Sequence, residues 1–268
     1  MSLKQRLAGG ELSISTMVSE VKNPNLARMF ATAGLDSMII DMEHGTFDWS
    51  DMSAMIAVAR GAGLAPVVRI PEIRREAVLK PLDAGAAGLL VPMVNSVEKA
   101  REVIRLAKYP PAGVRGTALR RGHSDYRQVS AGEYLRRVNE EVALLLQIET
   151  RQSLKQVDEM MQLDGVDAIF IGPFDLSVDM GIPGQVWNPD IRAVFSRVIE
   201  SGKRHNVATG IQVFSMEQAK ELVKEGVRYL SFSSDVNMLV DQAAAAAAVI
   251  RAELDGYQGV RQEADRKV

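Results

Sequence analysis

Two acidic residues each follow a short apolar run and could together hold a divalent cation. Glu149 comes directly after the run at 142–148, and Asp175 follows the run at 168–171, 26 residues after Glu149. That separation is about one strand–helix repeat, which would place both carboxylates at the ends of neighbouring parallel strands. Carboxylate oxygens completed by water and substrate oxygens suit Mg²⁺ or Mn²⁺, and Co²⁺ also fits such an open site. A pair of solvated loop acids or ion-pair partners is an equally good interpretation of the residue types alone.

His44 is a candidate general base. It follows the apolar run at 37–40 within the string DMEH (41–44), and the unperturbed pKa of imidazole, near 6.5, suits proton transfer at neutral pH. Asp83, after the third predicted helix, is its candidate orienting partner. The chain has only three histidines and no HExxH string, which disfavours a multi-histidine zinc site.

Arg69 is predicted to lie at the end of the strand PVVR (66–69). A permanent positive charge at a buried strand end requires an anion. We favour stabilisation of a developing enolate oxygen over the alternative, a bracing salt bridge to Glu43 or Glu149.

Eight apolar runs alternate with segments of helical period, and this pattern must position the polar residues. Continuously apolar strands are typical of a parallel sheet buried on both faces, which a closed (β/α)₈ barrel provides. Ser96 and Gly85 are typical residues at a helix start and a helix end. The predicted strands are 12–17, 37–40, 66–70, 88–93, 142–148, 168–171, 209–213 and 229–232. The predicted helices are 25–33, 50–61, 74–84, 97–107, 132–140, 152–161, 190–204, 216–225 and 236–254.

Composition favours one domain and excludes several classes of protein. The chain has 268 residues, 47% of them hydrophobic, and no Pro/Ser-rich linker divides it, so we expect a single TIM barrel over 1–268 with a disordered tail at about 256–268. A net charge of −2 makes nucleic acid an improbable partner, and no apolar run is long enough to cross a membrane. With no cysteine and no apolar stretch in the first 15 residues, we expect a cytoplasmic protein.

Six strings spread over most of the chain resemble those of the HpcH/HpaI-type 2-oxo-acid aldolases. They stand in the order and at the spacing of that family. The strings are IIDMEHG (39–45), PVVRIP (66–71), LDAGAAGLLVPMVNS (82–96), KYPPAGVRG (108–116), LLQIET (145–150) and FIGPFDLSVDMG (170–181).

The resemblance implies a class II pyruvate aldolase of the phosphoenolpyruvate/pyruvate barrel superfamily. Such an enzyme reversibly cleaves a 4-hydroxy-2-oxo acid to pyruvate and an aldehyde through a pyruvate enolate. It is usually a hexamer, a trimer of dimers that exchange C-terminal helices. By position, the resemblance implies that Glu149 and Asp175 are the metal ligands and that His44 is the base, with Asp83 as its partner. It implies that Arg69 contacts the carbonyl oxygen and that Gln147 contacts either the substrate or a metal ligand. The backbone amides around Pro173, Phe174 and Asp175 would bind the substrate carboxylate.

One segment departs from the resemblance. The string TALRRGHSDYR (117–127), inside the long insertion at 109–130, is more basic than we expect for the family. Arg120, Arg121 and His123 could therefore contact an acidic second substrate. A solvated loop or a subunit contact is the simpler interpretation of any one of them.

Alternative activities remain open on the same fold. A Schiff-base aldolase is disfavoured because no lysine lies inside a predicted strand. A Claisen-like condensation, such as citrate formation from oxaloacetate and acetyl-CoA, would use the basic loop to hold the extra carboxylate. A non-catalytic barrel that binds a 2-oxo acid is also possible, because a fold does not fix a function.

Overall fold

Eight parallel strands form a closed barrel in the order of the chain, which confirms the predicted (β/α)₈ fold. The computed structural model describes the backbone of residues 1–265 and the side chains of residues 1–253. The disordered tail expected at about 256–268 falls outside the described side chains and stays a prediction. The strands are β1 Ser13–Val18, β2 Ser37–Asp41, β3 Ala65–Arg69, β4 Gly88–Val91, β5 Ala143–Ile148, β6 Ala168–Ile171, β7 Ala208–Val213 and β8 Tyr229–Ser234.

Helices connect successive strands. They are α1 Leu3–Ala8, α2 Leu26–Thr32, α3 Trp49–Gly61, α4 Arg75–Ala84, α5 Val97–Ala107, α6 Ala131–Glu141, α7 Arg151–Met161, α8 Pro173–Asp179, α9 Pro189–His205, α10 Met216–Glu225 and α11 Asp235–Asp265. Ser96 caps the start of α5, and Gly85 ends α4 in the left-handed region at φ 105°, as predicted.

Two short helices, α1 and α8, were not predicted. The alternation of strands and helices requires neither of them, because α1 precedes the first strand and α8 is a second helix in the connection between β6 and β7. Leu3 and Leu7 of α1 pack against the side chains inside the barrel and close the end at which the strands begin. The predicted strand at 88–93 ends at Val91, because Pro92 cannot donate to the sheet and Met93 turns into the left-handed region at φ 52°.

The barrel has a packed interior and an outer layer, as its strand sequences predict. Every residue of β2, β4, β5 and β6 is buried, because one face of each strand lines the interior and the other meets the helices. Ile39, Val67 and Leu145 belong to the interior cluster. The same alternation points Asp41 and Arg69 inward at the far end, where the two residues are paired in register.

The last helix is long, and most of its residues between 239 and 253 are exposed. It contacts β1 and β8, and Leu239, Val240, Val249 and Ile250 on it face solvent within the single chain. Over the part of the chain with described side chains, no helix combines the length and apolarity needed to cross a membrane.

Candidate active site

The site begins with an ion pair between the ends of β2 and β3. Asp41 Oδ1 accepts from Arg69 Nε at 2.8 Å, and Oδ2 accepts from Nη2 at 2.5 Å. The same Oδ1 also accepts from the backbone N–H groups of Glu43 and His44 at 3.0 and 3.3 Å. The buried carboxylate therefore fixes both the plane of the guanidinium and the turn that carries His44.

Glu43 lies between Arg69 and His44. Its Oε2 is 3.3 Å from Arg69 Nη1 and 3.8 Å from His44 Nε2. Burial raises the pKa of the Glu43 carboxyl, the charge of Arg69 opposes that rise, and the charge of Glu149 adds to it. Glu43 is thus a half-buried acid facing the candidate base.

Glu149 follows β5 directly and is only 2% exposed. Its Oε1 accepts from the Met93 N–H at 2.6 Å, and its Oε2 accepts from Gln147 Nε2 at 2.5 Å. Burial raises the pKa of Glu149 in spite of these bonds, and the negative charge of Asp175 raises it further. When such a buried carboxylate is ionised, a cation beside it stabilises its negative charge.

Two positions accommodate the Glu149 side chain, Gly172 because it has no side chain and Met93 because of its backbone conformation. A side chain at Gly172 would place its Cβ 2.6 Å from Glu149 Oε2 and 3.1 Å from Gln147 Nε2. Met93 adopts φ 52°, which is rare for a residue with a side chain, and its N–H bonds to Glu149. Strain at such a position is typical of functional sites.

Asp175 and the predicted carboxylate-binding amides lie on α8, which follows β6. Phe174 and Asp175 are exposed in its first turn, where helix N–H groups have no partner inside the helix. Pro173 has no N–H and cannot donate, so it contributes the fixed φ of the first helical residue instead. Of the three predicted residues, two can therefore donate an amide to an anion.

Gln147 points into the barrel one layer below Glu149. It is buried, and its Oε1 has no hydrogen-bond partner among the described residues. A buried amide oxygen without a partner costs free energy unless a bound molecule satisfies it. Gln147 thus supports Glu149 with its amide N–H and leaves its oxygen for a bound molecule.

The donor set fits a cation held by few protein ligands. Within the described residues, no group of three His, Cys, Asp or Glu side chains converges on one point. Glu149 and Asp175 offer carboxylate oxygens, and the remaining positions would fall to water or a bidentate ligand, as Mg²⁺ and Mn²⁺ accept. The cradle at Gly172 and the raised pKa of Glu149 agree with this assignment.

The predicted pairing of His44 with Asp83 does not occur within the chain. Asp83 lies in the last turn of α4, just before β4 begins, so it stands at the opposite end of the barrel from His44. Its Oδ1 accepts from Arg115 Nη2 at 2.9 Å. The imidazole of His44 is 69% exposed, and its closest acid within the described side chains is Glu43.

The basic residues of the long insertion also lie away from this site within the chain. A Cβ at Gly122 would collide with the carbonyl of Ala84, so the segment packs on the end of α4. His123 is 5% exposed, with Nε2 2.9 Å from the Ala118 carbonyl and Nδ1 bonded to the Tyr134 hydroxyl. Burial lowers the pKa of this histidine. Within one chain, His123 therefore packs against its own loop and α6, and its contact with a second substrate stays a prediction.

Arg120 and Arg121 make local contacts in the same segment. Arg120 Nη2 donates to Gln128 Oε1 at 3.1 Å, and Arg121 Nη1 donates to the carbonyl of Arg120 at 2.9 Å. Neither lines the site of its own chain. Their predicted contact with an acidic second substrate is not formed within one chain.

Sequence reasoning named Glu43 only as a possible salt-bridge partner of Arg69, and the two side chains are 3.3 Å apart. It gave no role to three other residues that shape the site, Asp41, Met93 and Gly172, which all lie in the strings that mark the strand ends. Side chains alternate between the two faces of a strand, and this alternation points Asp41 into the barrel opposite Arg69 on the neighbouring strand. That pattern could have identified Asp41 from the sequence. Nothing in the sequence alone reveals the left-handed turn at Met93.

Comparison with known proteins agrees with this geometry. The family profile described as HpcH/HpaI aldolase/citrate lyase matches residues 15–242. The chain is 35% identical over 242 residues to the hydroxypyruvate/pyruvate aldolase of Roseovarius nubinhibens, covering 90% of this chain and 93% of the relative. It is 32% identical over 249 residues to a 4-hydroxy-2-oxo-heptane-1,7-dioate aldolase of Escherichia coli, covering 92% and 94%.

A solved structure extends the likeness to three dimensions. The HpcH/HpaI aldolase from Desulfitobacterium hafniense superposes with a TM-score of 0.90 at 35% identity, covering 94% of this chain and 97% of that one. Profile, relatives and structure span the barrel and all the strand ends described above. The chain therefore belongs to the HpcH/HpaI aldolase/citrate lyase family.

Proposed function

We propose that the protein is a metal-dependent aldolase, a carbon–carbon lyase that reversibly cleaves a 4-hydroxy-2-oxo acid to pyruvate and an aldehyde. The observation that carries the proposal is the Glu149 cradle, a buried carboxylate with a raised pKa beside a second acid, Asp175. The names of the relatives, both aldolases of oxo acids, support the same reaction class.

Glu149 and Asp175 would hold a divalent cation, Mg²⁺ or Mn²⁺, with Co²⁺ also able to fit. When bound, such an ion supplies a Lewis acid that draws electron density from the 2-oxo and carboxylate oxygens of the substrate. Gln147 keeps Glu149 oriented and offers its free amide oxygen to a bound molecule.

Arg69 would stabilise the oxygen on which negative charge develops. Its Nε and Nη2 are bound to Asp41 and its Nη1 faces Glu43, so the guanidinium is held rigidly at the mouth of the barrel. A donor fixed before the reaction stabilises a developing oxyanion without reorganising. The first-turn amides of Phe174 and Asp175 would bind the substrate carboxylate.

His44 would take the proton from the 4-hydroxyl group as the C3–C4 bond breaks. Its ring is exposed toward the arriving substrate, and Glu43 lies 3.8 Å from Nε2. In the synthetic direction, the same ring would return the proton to the new hydroxyl group. The product aldehyde leaves through the open mouth of the barrel.

We also propose a homo-oligomer, a hexamer built as a trimer of dimers. The exposed apolar residues at 239–250 of α11 support an exchange of this helix between subunits, because a contiguous apolar face on a surface helix is typical of an interface. Sedimentation should give the mass of six chains, and Leu239→Glu with Val240→Glu should lower it. A monomeric wild-type protein would contradict this assembly.

The test of the activity uses pyruvate and a panel of aldehydes. We expect a 4-hydroxy-2-oxo acid to form only with added Mg²⁺, Mn²⁺ or Co²⁺, and Glu149→Gln and Asp175→Asn to remove the activity. Full activity in excess EDTA would contradict the proposal. Release of free thiol from acetyl-CoA and oxaloacetate, without aldol activity, would favour the condensing enzyme instead.

A further inference from the structure

A single buried carboxylate, Asp235, joins the first residue of α11 to the loop that follows β1. Its Oδ1 accepts from the N–H and the hydroxyl of Ser19 at 3.1 and 3.3 Å. Its Oδ2 accepts from the N–H groups of Glu20 and Val21 at 3.0 and 2.8 Å. Three consecutive backbone N–H groups therefore converge on one side chain that is 2% exposed.

The charge of Asp235 is balanced by backbone dipoles. Its own helix adds the Val236 N–H at 2.9 Å, so four backbone N–H groups donate to this carboxylate. Successive N–H groups on a loop form an anion-binding concavity, here filled by a residue far away in the sequence. Asp235 therefore fixes the backbone of the loop at 19–21.

The held loop in turn supports the turn that carries His44. The carbonyl of Ser19 accepts from the Thr46 N–H at 3.0 Å, and a Cβ at Gly45 would lie 3.0 Å from that carbonyl. At its other end, the turn is bound by Asp41, which accepts from the His44 N–H. The turn at 41–46 is thus anchored at its start by Asp41 and at its end, through Ser19, by Asp235.

We propose that Asp235 is a positioning residue for His44, which it places through the contact of Ser19 with Thr46. This inference rests on the proposed aldolase function, in which His44 moves the proton of the 4-hydroxyl group. His44 makes few contacts of its own because its ring is exposed, so its position depends on the backbone of the turn. A small displacement of a catalytic group from a distant change can lower a rate about 10²-fold.

The variant Asp235→Asn tests the inference with little change of shape. An amide nitrogen cannot accept a hydrogen bond, so either the Ser19 contacts or the N–H groups of Glu20 and Val21 lose their acceptor. We expect kcat for cleavage to fall about tenfold to hundredfold, with KM for the oxo acid and metal dependence within about twofold of wild type. The matched control, Asp164→Asn, changes an exposed residue outside the site and outside the proposed subunit interface, and it should leave kcat unchanged.

Two readouts separate positioning from general stability. Hydrogen exchange of the segment 42–47 should rise in Asp235→Asn, while exchange in α7 stays the same. Combined with His44→Ala, Asp235→Asn should lower kcat no further than His44→Ala alone, because both changes act on one step. Ser19→Ala, which removes only the hydroxyl contact, should show the same pattern more weakly if Asp235→Asn does not fold.

The inference and the proposed function fail in different ways. The role of Asp235 would be overturned if Asp235→Asn and His44→Ala lowered kcat by factors that multiply in the double variant. It would also be overturned if hydrogen exchange at 42–47 were unchanged in Asp235→Asn. Neither result would affect the proposed aldolase activity of the wild-type protein. A wild-type protein without metal-dependent activity would overturn the proposed function. The exchange at 42–47 would then still decide whether Asp235 holds the turn of His44.

Discussion

At the scale of single residues, the buried charge of Glu149 is held by groups that carry no charge themselves. Glu149 depends on the N–H of Met93 and on the missing side chain of Gly172. The types and spacing of Glu149, Asp175 and Arg69 could be read from the sequence, because strand ends share one face of a barrel. The backbone conformations that aim them could not, because they depend on close approach in three dimensions.

Gly172→Ala should disturb the metal site without removing a ligand. The new Cβ would lie 2.6 Å from Glu149 Oε2, so the carboxylate must move. We expect metal affinity, measured by titration calorimetry with Mn²⁺, to fall about 10–100-fold, as it does when groups that orient ligands are lost. Gly61→Ala, where no atom lies within 4 Å of the added carbon, is the matched control, and equal affinities in the two variants would contradict this account.

Asp41→Asn should lower both activity and stability. The amide leaves the buried charge of Arg69 partly uncompensated, which costs about 3 kcal/mol when a buried ion pair is broken. It also loosens Arg69 and the turn of His44, so we expect kcat to fall about 10²–10³-fold. Urea unfolding and steady-state kinetics measure the two effects, with the exposed Asp164→Asn as control; wild-type kcat in Asp41→Asn would contradict the role of Arg69.

At the scale of elements, the eight strands and the main helices could be predicted because buried parallel strands are continuously apolar. The short helices α1 and α8 could not, since the alternation of strands and helices requires neither a helix before β1 nor a second helix between β6 and β7. In the insertion at 109–130 the basic string at 117–127 could be interpreted as a solvated loop, yet Arg115 before that string is buried, and so is Lys108 just before the insertion. Burial of a cation depends on carbonyl and carboxylate partners from other elements, which a sequence does not show.

Lys108 gives a measurable pH dependence of stability. Its Nζ donates to the carbonyls of Asn139 and Val142, and burial lowers its pKa from 10.5 to about 8. Between about pH 8 and 10.5 the unfolded chain binds more protons than the folded one, so this group adds stability as the pH rises. The gain is on the order of 3 kcal/mol at most.

The comparison of wild type with Lys108→Met isolates this effect. We expect the unfolding free energy of wild type to rise relative to that of Lys108→Met between pH 7.5 and pH 10. The other titratable groups are the same in both proteins, so their contributions cancel in this comparison. Lys155→Met, at an exposed position of α7, should show no such change. A difference independent of pH would mean that Lys108 keeps an ordinary pKa in the folded protein.

At the scale of the whole molecule, the fold separates two sets of polar residues. The proposed cation ligands Glu149 and Asp175 lie where the strands end, together with Arg69 and His44, whereas Asp83, Arg115 and His123 lie where the strands begin. The sequence predicted Asp83 as the partner of His44 and offered His123 as a contact to a second substrate, because spacing along the chain does not show at which end of the barrel a residue lies. The residues that we propose to bind pyruvate all belong to one chain, and α11 exposes Leu239, Val240, Val249 and Ile250, which could meet a second chain.

The exchange of pyruvate methyl protons with deuterated water tests the central claim most directly, because it needs only the oxo-acid half of the site. Followed by proton NMR, the methyl signal should decay with wild-type protein and Mn²⁺ or Mg²⁺, and should persist with EDTA or with Glu149→Gln. Exchange at the wild-type rate in EDTA, or in Glu149→Gln, would contradict enolate formation at a metal held by Glu149.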